Sequence, residues 1–325
     1  MKRATKETLA GRRYLDLQRE ARRTGRPTDE LIQLYALECF LDRLVHSEFV
    51  NKFVLKGGVL LAALEARRPT RDIDFAAQAL DNSVDEVLAV VRKVAGILLD
   101  DGVEFDFGRA TADVIREEDD YSGVRVTLGG QLSRATIRLH VDVNVGDPIW
   151  PEPQNISLPR LLDGKLLIRG YPLEMVLAEK IVTAVARGSA NTRWRDFVDI
   201  YVLVHRHAVQ AATLRTSIDR VVQYRRIGLV PLHSVFTGYA EIGQQRWLTW
   251  LRKNRLLTNL PTDFGVVLDL VRMFADPVIA ADTADKSWNP VACAWGYFHQ
   301  GSVVVTVYRR VCVSRFCPRP AQAGR

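Results

Sequence analysis

No stretch of this chain is apolar for long enough to cross a bilayer. The longest apolar run, GVLLAAL at residues 58–64, falls far short of the roughly 20 residues a spanning helix needs. The first 27 residues, MKRATKETLAGRRYLDLQREARRTGRP, contain no apolar block of the kind a secretory signal requires. Both absences predict a cytoplasmic protein with no membrane partner. Cysteine is scarce: Cys39, Cys293, Cys312 and Cys317 are the only four. They lie far apart or lack histidine neighbours, so they read as free thiols of a reducing compartment rather than as a disulfide framework or a zinc site. Histidine is scarce too, and no Ser-His-Asp or Cys-His arrangement can be assembled. The spacings of the Walker A loop, of the dinucleotide-binding fingerprint and of the EF-hand are all missing.

What is present is an ordinary globular composition, 47% hydrophobic and 26% charged over 325 residues. That length predicts two domains or subdomains. The net charge of +7 is unevenly placed. Residues 1–27 carry +6 and residues 297–325 carry +5 with no acid at all, which leaves the middle at −4. An acidic middle suits bound cations. A basic first segment suits a phosphate backbone, or is simply a solvated helix face.

Residues 5–24 read as a helix broken by RTGRPTDE. A second helix is expected over about 29–48, capped by Thr28 or Asp29, with Leu31, Leu34, Leu41 and Leu44 on its apolar side. FVLK (53–56) reads as a strand, 59–67 as a helix stopped by Pro69, RDIDFA as a strand and 83–99 as a helix. Then the period changes to two. GVRVTLGGQL (123–132) and RATIRLHVDVNV (134–145) alternate apolar and polar residues around a hairpin turn at Ser133. In the second of these strands Arg138, His140, Asp142 and Asn144 share the polar face. After DPIWPEPQ the chain reads as helices, over about 172–187, 194–206, 210–225, 240–254 and 262–275. Trp247, Trp250, Trp288 and Trp295 are expected in the core.

Three features carry chemistry. Asp72 and Asp74 alternate along a strand, so both carboxylates project from one face while Ile73 turns inward. Two such carboxylates repel unless a cation lies between them or one is protonated. Hard ions such as Mg²⁺ seek oxygen ligands of this kind. Second, Gly57-Gly58 separates a strand from a helix, where glycine lets a phosphate approach backbone N–H groups. Third, Lys180, Ala184 and Arg187 share one helical stripe, and two cations so placed can grip a triphosphate. Each feature also has a plain structural explanation: solvated acids, a tight turn, a surface cation pair.

In combination, FVLKGGVLLAAL, RPTRDIDF, PLEMVLAEKIVTAVARG, RWRDFVDIYVL and the ending FADPVIAADTADKSWNPVACAWG resemble the AbiEii/AbiGii-type nucleotidyltransferase toxins, a family that includes the MenT toxins. The resemblance spans about residues 30–296. It implies an α+β fold: a DNA polymerase β-like nucleotidyltransferase domain with a mixed sheet and helices, followed by a mostly helical C-terminal domain. The expected organisation is a basic N-terminal helix or arm (1–27), the α/β domain (28–160), the helical domain (161–296) and an atypical, loosely ordered tail (297–325). The resemblance implies Asp72, Asp74 and Asp142 as ligands of two Mg²⁺ ions, with Mn²⁺ as an alternative. It implies Lys56, Gly57, Gly58, Arg71, Lys180 and Arg187 as contacts for the NTP. Lys180 and an acid of the next helix, Asp199 or else Asp196, complete the expected catalytic set. The activity so implied is transfer of a nucleoside monophosphate from an NTP to the 3′ end of tRNA, with a cognate antitoxin as protein partner. A non-catalytic nucleotide- or RNA-binding protein on the same fold, and a transferase acting on a protein or small-molecule hydroxyl, remain the alternatives.

Overall fold

The structure, a computed structural model, describes residues 5–81, 83–116 and 122–297. The expectations for the tail beyond Tyr297, with Cys312 and Cys317, lie outside the described residues. Cys39 and Cys293 are free thiols.

Two helices open the fold, α1 (Leu9–Thr24) and α2 (Thr28–Val45). Thr8 caps α1 by accepting from the Gly11 amide, and Gly25 ends it in the left-handed conformation. The expected caps of α2 are not used. Pro27 holds its entry, and Thr28 and Asp29 already lie in its first turn. Leu31, Leu34, Leu41 and Leu44 are buried as their spacing predicts, but so are Ala36, Leu37 and Phe40, which makes α2 a core helix. The helix of the basic first segment packs on the fold. Tyr14, Leu17 and Ala21 of α1 are buried against the fold, and Arg134 donates to the Tyr14 hydroxyl at 3.0 Å.

Strand β1 (Phe53–Lys56) runs into a single helical turn, α3 (Gly57–Leu60), and then into β2 (Asp72–Ala77). The helix expected over 59–67 is therefore shorter and starts at the glycines; turns follow to Glu65, whose positive φ of 56° ends them. Helix α4 (Val84–Ala95) is capped by Ser83. Strands β3 (Val103–Arg116), β4 (Ser122–Leu132), β5 (Ala135–Val145), β6 (Gln154–Pro159) and β7 (Lys165–Gly170) complete a seven-stranded sheet in the order β3-β4-β5-β2-β1-β7-β6. The β2–β5 and β1–β7 pairs are parallel and the others antiparallel. The expected β4–β5 hairpin is present, with Ser133 at a φ of 54° in its turn. Strands β3, β6 and β7 were not foreseen. The expected boundary at residue 160 falls inside the β6–β7 hairpin, and β7 joins the sheet beside β1 through Leu55 and Gly170.

One face of the sheet packs on the helices: Phe53, Phe75 and Val141 meet Phe40 and Leu44 of α2 and Val90, Val91 and Val94 of α4. The opposite face carries polar side chains and is approached by the helical C-terminal region. That region consists of α5 (Leu173–Arg187), α6 (Trp194–Val204), β8 (Val209–Gln210), α7 (Ala211–Arg225), α8 (Leu232–Val235), α9 (Tyr239–Lys253), α10 (Phe264–Ile279), β9 (Ser287–Asn289) and β10 (Ala294–Gly296). Its own core is aromatic. Trp194 stands edge-on to Phe264 at 5.0 Å and Phe197 edge-on to Phe236 at 5.4 Å, with Trp247 fully buried beside them. Trp288 is likewise buried, and Trp250 and Trp295 pack against the core.

Candidate active site

Strand register assembles the acids. On adjacent strands β1, β2, β5 and β4, Lys56 lies opposite Asp74, Asp74 opposite Asp142, and Asp142 opposite Arg125. Residues in register share a face, so the row reads cation, acid, acid, cation. Asp72 is on the same face, opposite His140, whose Nδ1 lies 3.1 Å from the Thr127 hydroxyl. Arg125 forks onto Asp142, with Nε to Oδ1 at 2.8 Å and Nη2 to Oδ2 at 2.6 Å. Asp74 is left with the unbalanced charge. Burial and then the neighbouring Asp142 push its carboxyl up to about 6, with Asp72 adding to the effect and Lys56 and the Gly58 amide opposing it.

The glycine turn is built around this acid. Gly57 has a φ of +66°, and a Cβ there would land on the Asp74 carboxylate. At Gly58 a Cβ would stand 2.8 Å from Thr70 Oγ1. The Gly58 N–H donates to Asp74, and α3 is a single turn.

Lys56 is also committed within the protein. Its Nζ reaches Asp147 at 2.5 Å and Glu179 of α5 at 3.3 Å, and it lies 5.6 Å from the centre of the Tyr171 ring. Burial opposes its charge, but Glu179, Tyr171 and Asp147 outweigh burial and hold its pKa well above the ordinary lysine value. It therefore ties the sheet to α5.

Lys180 forms the second cluster. Nζ donates to Asp196 at 3.0 Å and Asp199 at 2.7 Å, so both candidate acids of α6 meet the same lysine. Arg193 adds a 2.7 Å ion pair to Asp196, and Arg68 forks onto Asp199. Burial disfavours the Lys180 charge, yet Asp199 and Asp196 hold its pKa raised. For Asp196 burial is likewise outweighed, by Lys180 and Arg193, and its carboxyl stays below the usual range. Arg187 sits in the last turn of α5, two turns or about 10 Å beyond Lys180 along the axis. Arg71 is exposed, immediately before the first residue of β2.

The residues matched by a family description decide the identity. The description "Nucleotidyl transferase AbiEii toxin, Type IV TA system" matches residues 39–270. The chain belongs to the AbiEii family. AbiEii proteins are nucleotidyltransferases and the toxin halves of toxin–antitoxin pairs, so an antitoxin partner goes with membership. Similar solved structures include a protein provisionally described as a nucleotidyltransferase from H. pylori, 14% identical, covering 75% of this chain and 94% of its own, with a TM-score of 0.44. JHP933 from Helicobacter pylori is 14% identical over 73% of this chain and 88% of its own, with a TM-score of 0.42. An antigenic nucleotidyltransferase-like protein from Paracoccidioides brasiliensis is 18% identical over 61% and 89%, with a TM-score of 0.35. Among curated proteins none matches the chain in sequence. No described helix is long and apolar enough to cross a membrane.

An AbiEii nucleotidyltransferase is expected to work with a divalent ion, and the row of acids fits one in donor type and in charge. The donors are all carboxylate oxygen, and Asp74 carries repulsion that a cation would relieve. Among the described residues no three acid, His or Cys side chains already converge closely enough to hold an ion. Arg125 holds the Asp142 carboxylate by both oxygens. Arg68 and Arg125 were missed in the sequence. Arg125 was within reach of it: counting back from the turn at Ser133 pairs it with Asp142. Arg68 carried no such signal, because its partner Asp199 lies 131 residues away.

Proposed function

We propose that this toxin transfers a nucleoside monophosphate from an NTP to the 3′ end of tRNA. The terminal hydroxyl oxygen bonds to the α-phosphorus. The bond from that phosphorus to its bridging oxygen breaks, pyrophosphate leaves, and the hydroxyl gives up its proton to water. The observation that carries this reading is the β2–β5 register, which sets Asp74 beside Asp142 with Asp72 on the same face. A divalent ion bound by Asp72, Asp74 and Asp142 would activate the hydroxyl and neutralise the phosphates. The chain's own groups prepare the rest. Gly57 and the Gly58 amide hold Asp74 in place. Lys180 spends two of its three ammonium donors on α6 and has one left for a phosphate oxygen. Blocking the tRNA acceptor end stops translation, which suits a toxin.

The test is to incubate the protein with each α-labelled NTP and total RNA, with Mg²⁺, with Mn²⁺ and with chelator. Label entering the tRNA band only when an ion is present supports the reading. Label on protein or on a small molecule would reassign the acceptor, and no transfer to any acceptor would overturn nucleotidyl transfer by these acids.

A further inference from the structure

Arg68 lies in the loop between α3 and β2, between the two clusters. Its guanidinium is held from one side only. Nε lies 3.0 and 3.3 Å from the two Asp199 oxygens, and Nη2 3.2 Å from Oδ2. The remaining nitrogen, Nη1, makes a single long contact of 3.4 Å to the Pro69 carbonyl. That same nitrogen stands 3.3 Å from where a Cβ on Gly58 would be, so it faces the glycine turn that cradles Asp74.

Lys180, Arg68 and Arg193 bring three cations to Asp196 and Asp199, and Asp74 also acts on Arg68; once a divalent ion neutralises Asp74, one positive charge is left at this edge for an anion. Asp199 fixes the plane of the guanidinium, which removes the rotamer freedom that usually weakens an exposed arginine contact. A fork held on one edge, with only a long contact to the Pro69 carbonyl at the other, matches phosphate oxygen geometry.

We propose that Arg68 is a contact residue for the polyphosphate of the incoming nucleotide, offering Nη1 beside the glycine turn while Asp199 positions the rest of the group. This rests on the nucleotidyl-transfer reading and adds a residue to it. The chemistry recognised is a linear polyphosphate, so inorganic triphosphate serves as probe as well as an NTP.

The experiment titrates the full chain and its Arg68→Gln and Arg68→Lys variants with inorganic triphosphate in Mg²⁺, by calorimetry, and records the melting temperature of each without ligand. Binding should weaken about tenfold or more in Arg68→Gln and recover in part in Arg68→Lys, which keeps the charge and loses the fork. If Arg68→Gln does not fold, Arg68→Lys decides alone: it should bind several-fold more weakly than the unaltered chain. Unchanged affinity with a lowered melting temperature would make Arg68 only a tie between the loop and α6, and the inference would fail while nucleotidyl transfer stood. No binding of triphosphate or of any NTP by the unaltered protein would instead sink the nucleotidyl-transfer reading beneath it.

Discussion

At the scale of the residue, Asp74 is where the fold stores unfavourable charge. Its folded carboxyl sits at about 6 against an ordinary 3.8, with burial the larger cause and Asp142 the next. A carboxyl raised by folding stabilises the fold fully below its unfolded pKa, and that contribution is lost as pH rises through the folded one. In chelator, stability should therefore fall between about pH 4 and 6, by on the order of 2–3 kcal/mol. Asp74→Asn removes the titration and keeps the acceptor for the Gly58 amide. We expect it to melt higher than the parent at pH 7.5 without divalent ion, to lose most of that pH slope, and to transfer no nucleotide. Melting curves from pH 4 to 8 check this, and an identical slope in the two proteins would mean that the repulsion is not at Asp74.

At the scale of the element, two pieces of secondary structure carry the charges that surround the acids. The β4–β5 hairpin delivers Arg125 to Asp142, and this bond above all holds the guanidinium pKa above its ordinary value. Replacing Arg125 by Ala takes a cation away from neighbouring carboxylates. The Asp74 titration should then move above about 6, readable by carbon NMR of labelled carboxyls; a downward move would contradict the register-based picture of the row. The α5–α6 pair is held by Lys180 on two buried acids. Lys180→Met leaves Asp196 with Arg193 alone and Asp199 with Arg68 alone, so the loss should fall below the about 3–5 kcal/mol typical of a buried charge left with no partner. Urea denaturation should show that loss, and single-turnover transfer should fall by about 10²-fold or more if the third ammonium donor serves the phosphates. Normal stability would place the lysine outside this network.

At the scale of the whole molecule, the N-terminal helix belongs to the fold. Leu17 is fully buried and Tyr14 nearly so. Two of its arginines, Arg19 and Arg23, are paired with Asp16 and Glu20 of the same helix. Removing residues 1–25 should lower the urea midpoint, since losing a buried Leu alone costs about 2–5 kcal/mol; an unchanged midpoint would return the segment to the role of a free basic arm. Local and periodic features were legible in the residues alone. The Asp72 and Asp74 pair on one strand face follows from a period of two, the β4–β5 hairpin from alternation around Ser133, and α5, α6, α7, α9 and α10 from their apolar spacing. The glycine pair was visible as well, though not its reason, which is the carboxylate lying where a Cβ would go. Strands β3, β6 and β7 were not legible. That Asp74 lies in register with Asp142, that Lys56 serves Asp147 and Glu179, and that Arg68 reaches Asp199 follows from the assembled fold. Parallel strands joined by a long crossover have no turn from which register can be counted, and a charge finds its partner through the packing of helices on the sheet, which local pattern does not encode.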